Sequence, residues 1–133
     1  MLSIDNFSLQ LKGSDGRILP VLENVSLRLD KGSCLGIAGE SGSGKSVLAM
    51  SIAALLPTGA VHSRSGKIEF DGCEILAASE AELQKLRGRK VGFVFQEPMT
   101  AMNPLMTLYE QICLTGGKNL AAIEFDGCEI LAA

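Results

Sequence analysis

Apolar and polar positions alternate over the first thirty residues. Leu2, Ile4 and Leu9 stand among polar neighbours and predict a half-buried strand. The cluster KGSDGR at Lys12–Arg17 predicts a hairpin turn or loop. Alternation resumes from Val21 to Leu29 through Leu22, Val25 and Leu27, giving a second strand that Asp30-Lys31-Gly32 ends. The pattern then changes. Cys34–Ala38 (CLGIA) is almost wholly apolar, as in a strand buried on both faces. Lys45–Leu56, rich in Ala, Leu and Met and bounded by Pro57, predicts a buried helix.

Further along, Lys67–Leu76 carries a hairpin signal, with Asp71-Gly72 between IEF and CEI as a two-residue type I′ turn favours. Pairing Phe70 with Cys73 and Ile68 with Ile75 puts those four on one face, and Glu69 and Glu74 together on the other. Ser79 and Glu82 form a capping box for a short polar helix to about Arg87. Val91–Phe95 (VGFVF) predicts another buried strand, and Leu105–Leu114 one more helix beyond a methionine-rich loop bracketed by Pro98 and Pro104. The segment IEFDGCEILAA occurs at Ile68–Ala78 and again at Ile123–Ala133. Two separated copies do not make a solenoid, which needs contiguous repeats. The repeat reads as a duplication or recombination scar whose second copy competes for the pairing partner of the first.

Composition narrows the class. At 133 residues, 47% hydrophobic and 20% charged, the chain is one domain's worth of globular material, and a net charge of −3 argues against a nucleic-acid partner. The longest apolar run, Val47–Leu56, is too short to span a bilayer, and the N-terminus has no basic start followed by an apolar stretch. Cys34, Cys73, Cys113 and Cys128 form no CxxC pair; they read as small hydrophobes, with Cys34 and Cys73 buried. His62 has no ligand partners at metal spacing and reads as a surface loop residue.

Chemistry concentrates at Gly39–Ser46, GESGSGKS, a full match to GxxxxGK[ST]. Gly39, Gly42 and Gly44 let successive backbone N–H groups aim at phosphate oxygens, and Glu40, Ser41 and Ser43 supply the rest of the loop. A following helix adds its own unpaired N–H groups. Lys45 is expected to bridge β- and γ-phosphates and the Ser46 hydroxyl to hold Mg²⁺. A Gly/Ser linker would not sit between CLGIA and an apolar helix. GTPase motifs NKxD and DxxG do not occur, and no Asp follows a four-residue apolar run, since VGFVF ends in Gln96-Glu97.

The order of phosphate loop, SGKIEFDG hairpin, LRGRKVGFVFQ strand and EPMTAMNPLMT resembles the nucleotide-binding domain of ABC transporters, above all the ATP-binding subunits of bacterial peptide, nickel and glutathione importers. The resemblance covers residues 1 to about 120, with 121–133 a tail that contains the repeat. It implies an α/β fold of the P-loop NTPase (ABC-type) class, N-terminal half only: an antiparallel β portion beside a partial parallel sheet holding the phosphate-loop and Gln96 strands. It implies ATP and Mg²⁺ as cofactors, with Gln96 the Q-loop glutamine that senses Mg²⁺ and the γ-phosphate. It further implies permease subunits docking on Glu97–Thr107, a second ATP-binding subunit, and a place on the cytoplasmic face of the membrane.

Departures bear on activity. The family's signature sequence, Walker B Asp, catalytic Glu and switch His fall beyond these residues. LTGGK at Leu114–Lys118 mimics the signature but follows Gln96 too soon. Residues 11–20 hold no aromatic to stack on adenine, which implies weak base affinity. Two readings result: a truncated importer ATPase that couples hydrolysis to uptake in its full-length form, or a non-catalytic fragment that binds nucleotide or a partner without turnover. The transported solute is not legible, because in this family other subunits select it.

Overall fold

In the computed structural model of the chain, the described residues are 1–57, 59–87, 89–95, 102–116 and 129–132. Strands β1 (Leu2–Lys12), β2 (Ile18–Leu29), β3 (Val61–Phe70) and β4 (Cys73–Glu74) form an antiparallel sheet in the order β2-β1-β3-β4. Helix α1 (Lys45–Ile52) lies between β2 and β3 in sequence, and α2 (Glu80–Leu86) follows β4. β5 (Val91–Val94) pairs in parallel with β6 (Glu129–Ala132), and α3 (Leu108–Gly116) lies between them in sequence.

The apolar positions of β1 change parity: Leu2 and Ile4 are buried, then Phe7 and Leu9. A period of two cannot bury both pairs on one face unless a residue is inserted. The register shifts between Ile4 and Phe7 supply it, with Asn6 at φ 48, Asn24 of β2 at φ 50 and Gly66 of β3 at φ 87. Asparagine tolerates the left-handed region better than other side chains. The amides displaced from the ladder find hydroxyls: Asn6 N–H donates to Ser26 Oγ and Asn24 N–H to Ser8 Oγ, both at 2.9 Å. Gly66 has no alternative, because a Cβ there would lie 2.4 Å from the Asn6 carbonyl oxygen.

The face so assembled joins Phe7, Leu9, Ile68 and Phe70 in one hydrophobic cluster with Leu48 and Ile52 of α1 and Leu86 and Val91. The hairpin forms as its turn chemistry dictates, with Asp71 at φ 49, Gly72 at φ 80 and the pairs Phe70↔Cys73 and Glu69↔Glu74. Ile75 N–H donates to the Ile68 carbonyl at 2.8 Å. Lys67 sits 2.6 Å from Glu69 and relieves the repulsion that the facing glutamates would feel. At the other end of the turn Asp71 pairs with Lys90.

Several expectations are corrected. CLGIA is not a strand: residues 33–40 have no sheet partner among the described residues and are exposed, Leu35 at 45% and Ile37 at 47%. An apolar run becomes a buried strand only where neighbours pair with it, so the parallel pair is β5–β6 and not the segment before the phosphate loop. Cys34 is therefore exposed. Helix α1 stops at Ile52, four residues short of Leu56, because Ala54 turns left-handed at φ 53. β5 buries Val91 but leaves Val94 54% exposed. His62 lies in β3, exposed, not in a loop. α3 starts at Leu108, where Thr107 and Glu110 make a second capping box. The second copy of the repeat does not take the place of the first: its Glu129–Ala132 pairs with β5, while Ile123–Cys128 lie outside the described residues.

Two outcomes follow for stability. Gly66→Ala forces a Cβ into the backbone of Asn6 and Asp5 at positive φ, and should cost about 3 kcal/mol in chemical denaturation. The second outcome concerns pH. The Ser79 hydroxyl and backbone N–H hold the Glu82 carboxyl below its ordinary 4.5, and the Thr107 backbone N–H and hydroxyl do the same for Glu110. A depressed carboxylate contributes stability that is present above its ordinary value and lost as pH falls through the lowered folded one. Helical signal at 222 nm should therefore decline below pH 4.5, less steeply in Glu82→Gln.

Candidate functional site

Gly39–Ser46 runs from the exposed segment 33–40 into the first turn of α1. Gly42 at φ 82 and Gly44 at φ 90 occupy the left-handed region, which glycine enters without steric cost. They differ in surroundings. A Cβ on Gly42 would meet nothing, whereas one on Gly44 would lie 2.9 Å from Leu22 Cδ2 and from the Val21 carbonyl oxygen. The buried Gly44 thus lets the helix start press directly on β2, and that contact fixes where the loop ends. Val21 and Leu22 carry no local signal of such a role, because the contact joins residues far apart in sequence.

The ammonium of Lys45 folds back into the loop. It donates to the Gly39 carbonyl at 2.9 Å, the Glu40 carbonyl at 2.7 Å and Ser43 Oγ at 3.3 Å. An ammonium has three protons, and all three are accounted for. Ser43 N–H donates to the Glu40 carbonyl at 3.2 Å, which tightens the turn between them. Glu40, Ser41 and Ser46 are exposed and Lys45 is half-buried.

Among the described residues, the two later helices close their own N-termini. Glu82 accepts from Ser79, and Glu110 from Thr107. Helix α1 does not: its N-cap is Gly44, no side chain caps it, and no acidic residue stands in its first turn. The N–H groups at the start of any α-helix lack intrahelical partners and carry the positive end of the macrodipole. With the Lys45 charge beside them, they make a site for an oxyanion. The residues present fit a polyphosphate: glycine backbone able to approach closely, uncapped amides, an ammonium and the exposed Ser46 hydroxyl. For Mg²⁺ the chain offers Ser46 as one oxygen ligand, and among the described residues no group of three His, Cys, Asp or Glu could hold a metal. Such an ion takes its remaining ligands from phosphates and water.

Gln96 and Glu97–Ala101, expected to sense the γ-phosphate and to face partner subunits, lie outside the described residues. Met102–Thr107 are described: Met102, Asn103, Pro104, Leu105 and Thr107 are exposed, and Met106 is half-buried. Among the described residues no helix is long and apolar enough to cross a membrane.

The family model described as "ABC transporter" matches residues 22–129. The chain is 44% identical over 112 residues to the uncharacterized ABC transporter ATP-binding protein YejF of Escherichia coli, covering 84% of this chain and 21% of that one. It is 46% identical over 104 residues to the probable D,D-dipeptide transport ATP-binding protein DdpD of the same species, covering 78% of this chain and 31% of that protein. It is 38% identical over 112 residues to the oligopeptide transport ATP-binding protein OppD of Bacillus subtilis, again 84% and 31%. Among solved structures it is similar to the ATP-binding cassette MJ0796, a dimer in a post-hydrolysis state bound to ADP and Pi, with a TM-score of 0.72 and 31% identity over 86% of this chain and 46% of that one. The chain thus spans between a fifth and a third of these curated relatives.

The difference between the two left-handed glycines is measurable. Gly42→Ala carries only the strain of positive φ, about 1 kcal/mol. Gly44→Ala adds the clash with β2, and its denaturation midpoint should fall by at least about twice as much.

Proposed function

This chain belongs to the ABC transporter family, and on that premise we propose that residues 39–46 bind the phosphates of ATP as part of an importer's ATP-binding subunit. The observation that carries the reading is the contrast between α1 and the other helices. α1 alone among the described helices of this chain begins on a bare glycine with a lysine ammonium folded back into the loop before it. Residues 1–120 form part of the nucleotide-binding domain, and 121–133 a tail beyond it.

Binding starts with an exchange. Lys45 Nζ leaves the Gly39 and Glu40 carbonyls, a lysine side-chain rotation away, and turns its charge to β- and γ-phosphate oxygens. Gly42, Gly44 and the first amides of α1 close around the same oxygens, with Glu40, Ser41 and Ser43 completing the loop. The Ser46 hydroxyl, exposed at the helix start, holds Mg²⁺. Gln96, two residues beyond the end of β5, senses that ion and the terminal phosphate. Bound Mg·ATP supplies the phosphoanhydride whose cleavage powers transport.

The names of the relatives support a peptide-like solute: D,D-dipeptide for one and oligopeptide for another. Permease subunits would dock on Glu97–Thr107 at the cytoplasmic face of the membrane. A second ATP-binding subunit would pair as in the dimeric cassette. For the 133 residues taken alone, one observation favours binding without turnover: no aspartate follows a four-residue apolar run, so none is placed to anchor the metal opposite Ser46.

Calorimetric titration with Mg·ATP tests the reading. Saturable heat is expected from the chain and none from Lys45→Ala, while phosphate release stays at background for both. Equal heats in the two proteins would remove the phosphate loop from the function.

A further inference from the structure

Helix α1 ends as unusually as it begins. Ala54 N–H donates to the Ser51 carbonyl at 3.1 Å and Leu55 N–H to the Met50 carbonyl at 2.8 Å, the paired bonds of a Schellman turn. That turn puts its next-to-last residue in the left-handed region, usually glycine, here Ala54 at φ 53. Among the described residues no backbone N–H donates to the Ala53 and Ala54 carbonyls, which lie past the last turn of the helix. Arg87, directly after α2, takes both. Its Nε donates to the Ala53 carbonyl at 3.1 Å and its Nη2 to the Ala54 carbonyl. The third nitrogen, Nη1, donates to Glu80 Oε1 at 2.8 Å. The Arg87 side chain is 28% exposed and that of Glu80 63%, so the carbonyl contacts are shielded while the ion pair faces water.

The chemistry suits arginine alone. Only a planar fork reaches two carbonyls and a carboxylate at once, and a lysine ammonium would meet one of them. A cation at this end also complements the negative pole of the helix. We propose that Arg87 is a positioning residue for the phosphate loop: by pinning the C-terminus of α1 it fixes the axis along which the first-turn amides and Lys45 point. Eight residues make a rod of about 12 Å, too short to bend, so a tilt allowed at one end appears at the other. Glu80 orients the guanidinium. The bridge between Arg87 and Val91 carries the same residue to the start of β5, so the helix and the strand leading to Gln96 are set by one side chain. The inference rests on the reading of 39–46 as a nucleotide site.

The test compares Arg87→Ala with Gly72→Ala, a strained change at positive φ in the β3–β4 turn whose added Cβ meets none of the described residues within 4 Å, in the full chain. Both should lower the melting midpoint. In the nucleotide-free protein, only Arg87→Ala should speed amide exchange across residues 46–53. In calorimetry, Mg·ATP should bind Arg87→Ala about tenfold more weakly and Gly72→Ala as the parent does. If Arg87→Ala does not fold, Glu80→Gln keeps the guanidinium and loosens its orientation, and should weaken binding about threefold. Equal exchange at α1 in the two variants, or equal affinities, overturns the proposal. Absence of binding in the parent overturns the nucleotide reading instead, and the exchange comparison still decides whether Arg87 pins the helix.

Discussion

The burial of Leu48 and Ile52 in the cluster that contains Phe7, Leu9 and Ile68 is the contact on which the rest turns. Helix α1 has eight residues, no side-chain cap at its start and an alanine in a glycine's conformation at its end. In water a helix of that length would not persist. Because packing supplies what propensity and capping do not, its first turn can be left without internal partners. A phosphate loop needs that freedom: amides already satisfied by a serine or glutamate, as at Ser79 and Thr107, would have nothing to offer a ligand.

That packing depends in turn on the shape of the sheet. The bulge that crosses β1, β2 and β3 at Asn6, Asn24 and Gly66 switches which alternate residues face inward, and so brings Phe7 and Leu9 onto the face already holding Leu2 and Ile4. Gly44 presses against β2 at Val21 and Leu22. The site is therefore held between a strand of the antiparallel sheet on one side and the Arg87 contact on the other, with few interactions of its own.

What the sequence disclosed was whatever its local chemistry fully determines. The Asp71-Gly72 turn, the Ser79–Glu82 box and the GESGSGKS loop each carry their own instructions within four to eight residues, and each stands where those instructions place it. The start of α3 was legible in the same way, since Thr107 and Glu110 stand three apart, but the apolar pattern drew the boundary to Leu105. The fate of CLGIA was not legible, because a strand is defined by a neighbour. The end of α1 was hidden as well: nothing about alanine announces a left-handed residue, and only the two Schellman bonds and Arg87 make it tenable. Even the bulge left a trace, in the change from even to odd apolar positions between Ile4 and Leu9, which simple alternation passes over.

The repeated peptide adds one point. Glu-Ile-Leu-Ala at 74–77 begins as the last residue of β4 and then turns, sinking Ile75 into the core. The same four residues at 129–132 run straight beside β5. Composition, solvent, temperature and covalent chain are shared, so the difference in conformation owes nothing to the amino acids themselves. The molecule contains its own control experiment, in which the variable is the neighbour and the outcome is the secondary structure.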